Sequence, residues 1–117
     1  MAMNSIGWAP NWFGFEVSEM ERQISNWCNL NANETFQVVF DIRDIKAFVK
    51  ANKLHRFTNG KRYVLYTKKL IITWNEVEDG WGLLYKVESN EDFNKVLYQA
   101  PKTPADASGI IYVKKEA

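Results

Sequence analysis

The sequence predicts an α+β fold in which a mainly antiparallel sheet of about five strands carries three helices on one side. Three observations lead there. Apolar residues alternate with polar ones in several short runs, as strands do, and recur at helical spacing behind capping residues elsewhere. Two tight-turn dipeptides, Asn59-Gly60 and Asp79-Gly80, mark places where the chain reverses. With 46% apolar and 15% aromatic residues among 117, there is material for one core, and no linker or repeat divides the chain, so a single domain over 1–117 is expected.

Residues 1–16 read as an irregular aromatic arm, because Gly7, Pro10 and Gly14 interrupt Trp8, Trp12, Phe13 and Phe15. A helix over 18–30 follows. Ser18-x-x-Glu21 has the form of a capping box, and Val17, Met20, Ile24, Trp27 and Cys28 fall on one face. Alternation of Phe36, Val38, Phe40 and Ile42 with Gln37, Val39 and Asp41 predicts a strand over 35–41. Asp41 then suits the cap of a second helix, 42–53, with Ile45, Phe48 and Val49 inward. On that helix Arg43, Lys46, Lys50 and Lys53 fall within an arc of roughly 80°.

Strands are expected over 61–67, 69–77 and 81–88. With a two-residue loop at Asp79-Gly80, Trp74 stands opposite Tyr85, Ile72 opposite Val87 and Glu78 opposite Trp81, giving one aromatic face. Ser89 to Asp92 opens a third helix, 90–99, with Phe93, Val96 and Leu97 inward and Pro101 as its stop. After a loop over 101–109, Ile110 to Val113 predicts a last strand, 110–114.

Catalytic chemistry finds little to work with. His55 is the only histidine and Cys28 the only cysteine, and Cys28 lies on the apolar face of the first helix, where a thiol is an inert core group. The carboxylate clusters Glu76/Glu78/Asp79 and Glu88/Glu91/Asp92 have structural explanations at a hairpin turn and a helix start. Metal-ligand spacings and phosphate-loop fingerprints are absent, Gly80-Trp81-Gly82 being a fragment of neither. The expectation is a non-enzyme with no cofactor and no metal. One cysteine, no signal-like start and no apolar run of membrane length lead to the expectation of a soluble cytoplasmic protein, in the host cytoplasm if viral, with no membrane partner.

Charge supplies the sharpest functional clue. The formal net charge is +1, yet residues 42–69 hold nine of the fifteen Lys/Arg against one acid, Asp44. In that segment aromatics interleave with cations, as in single-stranded nucleic-acid grooves. The candidate binding residues are therefore Arg43, Lys46, Lys50, Lys53, Arg56, Phe57, Lys61, Arg62, Tyr63, Tyr66, Lys68 and Lys69, with Trp8 and Trp12 either folded back over the sheet or serving as anchors for a protein partner. Eleven asparagines and eleven lysines against four arginines match the usage of an AT-rich virus or mobile element. The leading expectation is a small protein that binds an acidic protein surface, as a virus- or mobile-element-encoded inhibitor of a host defence protein does. The alternative is a nucleic-acid-binding module using residues 43–69.

Overall fold

The computed structural model describes residues 6–31, 37–59, 61–78, 80–92 and 95–100. Strand β1 (Ile6–Trp8) and a 3₁₀ turn (Trp12–Gly14) precede helix α1 (Val17–Leu30), strand β2 (Gln37–Asp41) and helix α2 (Ile45–Ala51). Five strands follow: β3 (His55–Asn59), β4 (Arg62–Tyr66), β5 (Leu70–Glu78), β6 (Trp81–Ser89) and β7 (Lys95–Gln99). All seven form one sheet in the order β1-β2-β6-β5-β4-β3, with β7 also on β6. β1 runs parallel to β2, and every other pairing is antiparallel. Strands β2 and β7 share one edge of β6: β2 takes Trp81 to Leu83 and β7 takes Lys86 to Ser89.

The α+β class with a mainly antiparallel sheet is therefore observed, with two α-helices rather than three among the described residues. The expected third helix, 90–99, is replaced by a turn and β7. Asp92 N–H does donate to Ser89 Oγ, at 3.1 Å, as a capping bond would. The following residues nonetheless pair along β6, and a bulge at Leu97, between the Val87–Tyr98 and Glu88–Val96 pairs, leaves Val96 49% exposed and Tyr98 only 2%. Half of the β6 edge is left open by β2, and pairing it satisfies a row of backbone groups that a helix there would leave bare. Strand β3 was not anticipated, because its five residues show a turn signal at Asn59 but no clear alternation. The expected strand 110–114 lies outside the described residues.

Other local expectations change for tertiary reasons. The capping box does not form: Glu16 is the N-cap of α1, and the Glu21 carboxylate is buried and accepts the Lys69 N–H at 2.8 Å. That bond ties α1 to the β4–β5 turn across 48 residues. Asp41 does not cap α2 either. Its side chain accepts the Arg43 backbone N–H at 2.9 Å and the Arg43 guanidinium, so α2 starts only at Ile45.

In the β5–β6 hairpin, Glu78 pairs Trp81 and Ile72 pairs Val87 as expected, but Trp74 pairs Leu84 instead of Tyr85. Register shifts between Thr73 and Trp74 and between Glu76 and Glu78 offset each other. Two compensating bulges of this kind re-aim side chains without altering the turn. Leu84 is thereby buried, while Tyr85 meets Arg62, whose guanidinium lies 4.4 Å from its ring centroid. The single aromatic face is thus divided between two sides of the sheet. Gly82 makes the inner packing possible, since a Cβ there would stand 2.6 Å from Trp74 Cδ1 and 2.9 Å from Ile42 Cγ2.

The core lies between the helices and the inner side of the sheet. Met20, Ile24 and Cys28 of α1 and Ile45 and Phe48 of α2 pack with Val38, Phe40, Leu65, Ile72, Trp74, Leu84 and Val87. Trp12 and Phe13 belong to this core, so of the two readings of the aromatic arm these residues follow the one that folds back over the sheet. Trp12 is 1% exposed and sits 5.4 Å from the Phe40 ring, and Phe13 sits 5.6 Å from the Phe48 ring. Asn11 holds the turn that delivers them, its side-chain oxygen accepting the Phe13 N–H at 3.1 Å. No helix among the described residues is long and apolar enough to cross a membrane.

Candidate functional site

The basic segment does not fold into one surface. Its largest group gathers around a groove between α2 and β3. Apolar Ile45 and Phe48 pin α2 to the core, which turns Lys46 and Lys50 outward. Lys53 follows at the end of the helix in the left-handed conformation, φ 54°. Its N–H donates to the Lys50 carbonyl at 3.3 Å and the Leu54 N–H to the Val49 carbonyl at 3.0 Å, which is the Schellman way of closing a helix. The chain then enters β3, where Arg56 pairs Leu65 and so lies on the helix side of the sheet. Lys46, Lys50, Lys53, His55 and Arg56, with Val49 and Leu54 between them, line a groove of about 430 Å³.

Arg43, expected on the same helical stripe, precedes α2 and bends back to Asp41. It lines an adjoining, more enclosed socket of about 230 Å³ with Ile42, Ile45, Lys46, Arg56, Tyr63, Glu76 and Gly80. Lys46 and Arg56 belong to both cavities. In the socket the Tyr63 hydroxyl donates to Glu76 Oε1 at 2.5 Å, and Tyr63 stacks on Trp74 with ring centroids 5.6 Å apart. The bond to Glu76 and, after it, burial hold the Tyr63 phenol above its ordinary pKa, so it stays a donor through the neutral range. The Arg56 guanidinium lies 5.1 Å from the Tyr63 ring centroid, within cation–π range.

The remaining candidates lie elsewhere. Arg62 is on the opposite side of the sheet, its Nε donating to Asn75 Oδ1 at 3.0 Å, and Tyr66, 40% exposed, shares that side. Lys61 is exposed at the β3–β4 turn, and Lys68 and Lys69 are exposed at the β4–β5 turn beside Glu21. Trp12 is core and leaves the candidate surface. The side chains of Trp8 and Phe57 lie outside the described residues, though the backbones of both belong to strands. Glu76 and Gly80 were not anticipated as lining. The signal for Glu76 was its position two residues beyond Trp74 on one strand face, but only the β4–β5 register reveals that Tyr63 stands across from them.

Cys28 and His55 are not brought together. Cys28 on α1 is buried near Tyr98 of β7, a neighbour of β6, whereas His55 is on β3, three strands from β6 and so about 14 Å away at ordinary strand spacing. Burial pushes the Cys28 thiol up from 9.0 to about 12 and the Tyr98 phenol from 10.0 to about 12. Between those limits the unfolded chain releases both protons while the folded chain keeps them. Stability therefore falls as pH rises from about 9 toward 12. Urea midpoints at rising pH should show this decline, Cys28→Ser should flatten part of it, and the native thiol should resist Ellman's reagent at pH 8 until the chain is unfolded. Rapid native labelling would show that Cys28 is accessible.

Comparison of the chain with protein-family models, with curated proteins and with solved structures finds no match.

Proposed function

We propose that this chain is a non-catalytic binding protein that docks an acidic surface of a protein partner onto the α2–β3 groove. One observation carries the reading: four cationic residues, Lys46, Lys50, Lys53 and Arg56, line a single groove whose lining contains no carboxylate. Protein surfaces that merely solvate a fold mix the two signs. The ion pairs Arg22–Glu19 and Arg43–Asp41 do not involve Lys46, Lys50 or Lys53. Occupation of a partner's functional surface is how a domain of this size inhibits a larger protein, and the lysine- and asparagine-rich composition supports an inhibitor encoded by a virus or mobile element.

The distribution of aromatics favours protein over single-stranded nucleic acid. Base stacking needs exposed rings beside the cations. Tyr63 is instead covered by Arg56 on one side of the sheet and stacked on Trp74, and Tyr66 points to the other side. The test offers the wild-type chain and a groove-reversed variant to the same cell lysate and to random-sequence DNA and RNA. A protein retained by the wild type alone supports the proposal. Retention of random nucleic acid that falls steeply with salt, as phosphate contacts require, would put the nucleic-acid reading first.

Lys53 adds an independent test. A side chain other than Gly in the left-handed region costs roughly 1–2 kcal/mol, and Gly or Asn is the usual choice at this helix-closing position. Keeping a lysine there fits a position held for its charge. Lys53→Gly relieves that strain while loosening the unfolded chain, so stability should hold or rise by up to about 1 kcal/mol. Partner association should weaken in the same variant. A variant that gains stability and binds at the wild-type rate would remove Lys53 from the site.

A further inference from the structure

We propose that the socket behind the groove receives one carboxylate side chain of the partner, an acidic anchor residue buried between Arg43 and Arg56. This inference rests on the groove reading and adds the position where an acidic segment is gripped rather than merely attracted. The groove and the socket share Lys46 and Arg56, so a segment lying along α2 reaches the socket without a break. Three cations, Arg43, Lys46 and Arg56, line the socket against Glu76, whose Oε1 already accepts the Tyr63 hydroxyl, and against Asp41, which pairs with Arg43 from outside the socket, so one positive charge is left in excess. The balance favours an incoming anion.

Geometry separates this site from the lysine stripe. Arg43 is fixed before any partner arrives, because Asp41 accepts from its Nε through both oxygens at 3.0 Å. Gly80, with φ 87°, allows the Arg43 stem to lie close, since a Cβ there would stand 2.6 Å from Arg43 Cγ. Arg56 rests on the Tyr63 ring. Two guanidinium groups held this way lose little rotamer freedom on binding, unlike the exposed lysines of the groove. Apolar Ile42, Ile45 and the Tyr63 ring form the remaining wall. Guanidinium also meets a carboxylate with two parallel donors. A partner held here should dissociate more slowly than charge attraction alone explains, and should keep part of its affinity in salt.

The probe is an acetylated, amidated octapeptide of alternating Glu and Ala, titrated into the ¹⁵N-labelled chain, with its Gln/Ala counterpart as control. The Glu peptide should shift the side-chain Nε–H signals of Arg43 and Arg56 and the Gly80 amide, and the control should not. In 0.3 M salt Arg43→Gln and Arg56→Gln should each weaken binding at least tenfold, whereas Lys50→Gln should matter mainly at low salt. The Arg43 side chain is 60% exposed, so its loss leaves the fold intact. Binding with shifts confined to Lys50 and Lys53, and with affinity unchanged in Arg43→Gln, overturns the socket and leaves the groove standing. Absence of binding at low salt overturns both.

Discussion

Reversal of Lys46, Lys50 and Lys53 to glutamate should slow partner association by about 10- to 10³-fold at low ionic strength, the range over which charge steering acts. All three side chains are exposed on the rim of one groove, so the variant exchanges three positive charges for three negative ones at a single surface. Long-range attraction governs how often two proteins meet in the right orientation, so the loss should appear in the association rate before the dissociation rate. Raising the salt should shrink the difference, since the screening length falls from about 10 Å at 0.1 M to about 3 Å at 1 M. Stability should change little, because exposed substitutions usually stay within about ±0.5 kcal/mol each. Stopped-flow or surface-binding kinetics with the captured partner, beside a thermal melt, measure both. A folded variant that associates at the wild-type rate in low salt would exclude the groove as the docking surface.

Trp12→Ala should cost about 3–5 kcal/mol, the usual range for removing a buried aromatic side chain. The ring is 1% exposed and meets Phe40 at 5.4 Å and Trp27 at 5.9 Å, so its loss opens a void that three elements cannot close together. Against the 5–15 kcal/mol that typically holds a domain, that is a large share, and the melting temperature should fall by more than about 10 °C. Trp12→Phe should cost much less. It keeps most of the apolar contact and removes Trp12 Nε1, a buried donor with no acceptor among the described residues. Urea unfolding of the two variants gives the comparison. A Trp12→Ala chain with native stability and no partner binding would return this residue to the interaction surface.

How much of this was legible in the sequence depends on the range of the interaction that decides each feature. The α+β class, α1, β2 and the hairpin turns were readable because periodicity and turn chemistry act over a few residues. The imbalance of charge in residues 42–69 was equally plain. Lys46 and Lys50 could be placed together because helical spacing alone puts them on one face.

Tertiary structure decided the rest. Residues 95–99 became a strand because β2 covers only half of the β6 edge, a vacancy no local pattern announces. Glu21 left its helix cap for a backbone donor 48 residues away, and Trp12 and Phe13 went inward because α1 and α2 leave aromatic-sized space over Phe40. The same logic governs the site. Sequence determined that a strongly basic segment exists, and strand alternation then sent Tyr63 and Tyr66 to opposite sides of the sheet. Which of those cations share a cavity was settled only when strand β3 carried Arg56 back beside α2 and β5 brought Glu76 to Tyr63, since contacts between residues distant in the chain depend on register and packing that local spacing does not encode.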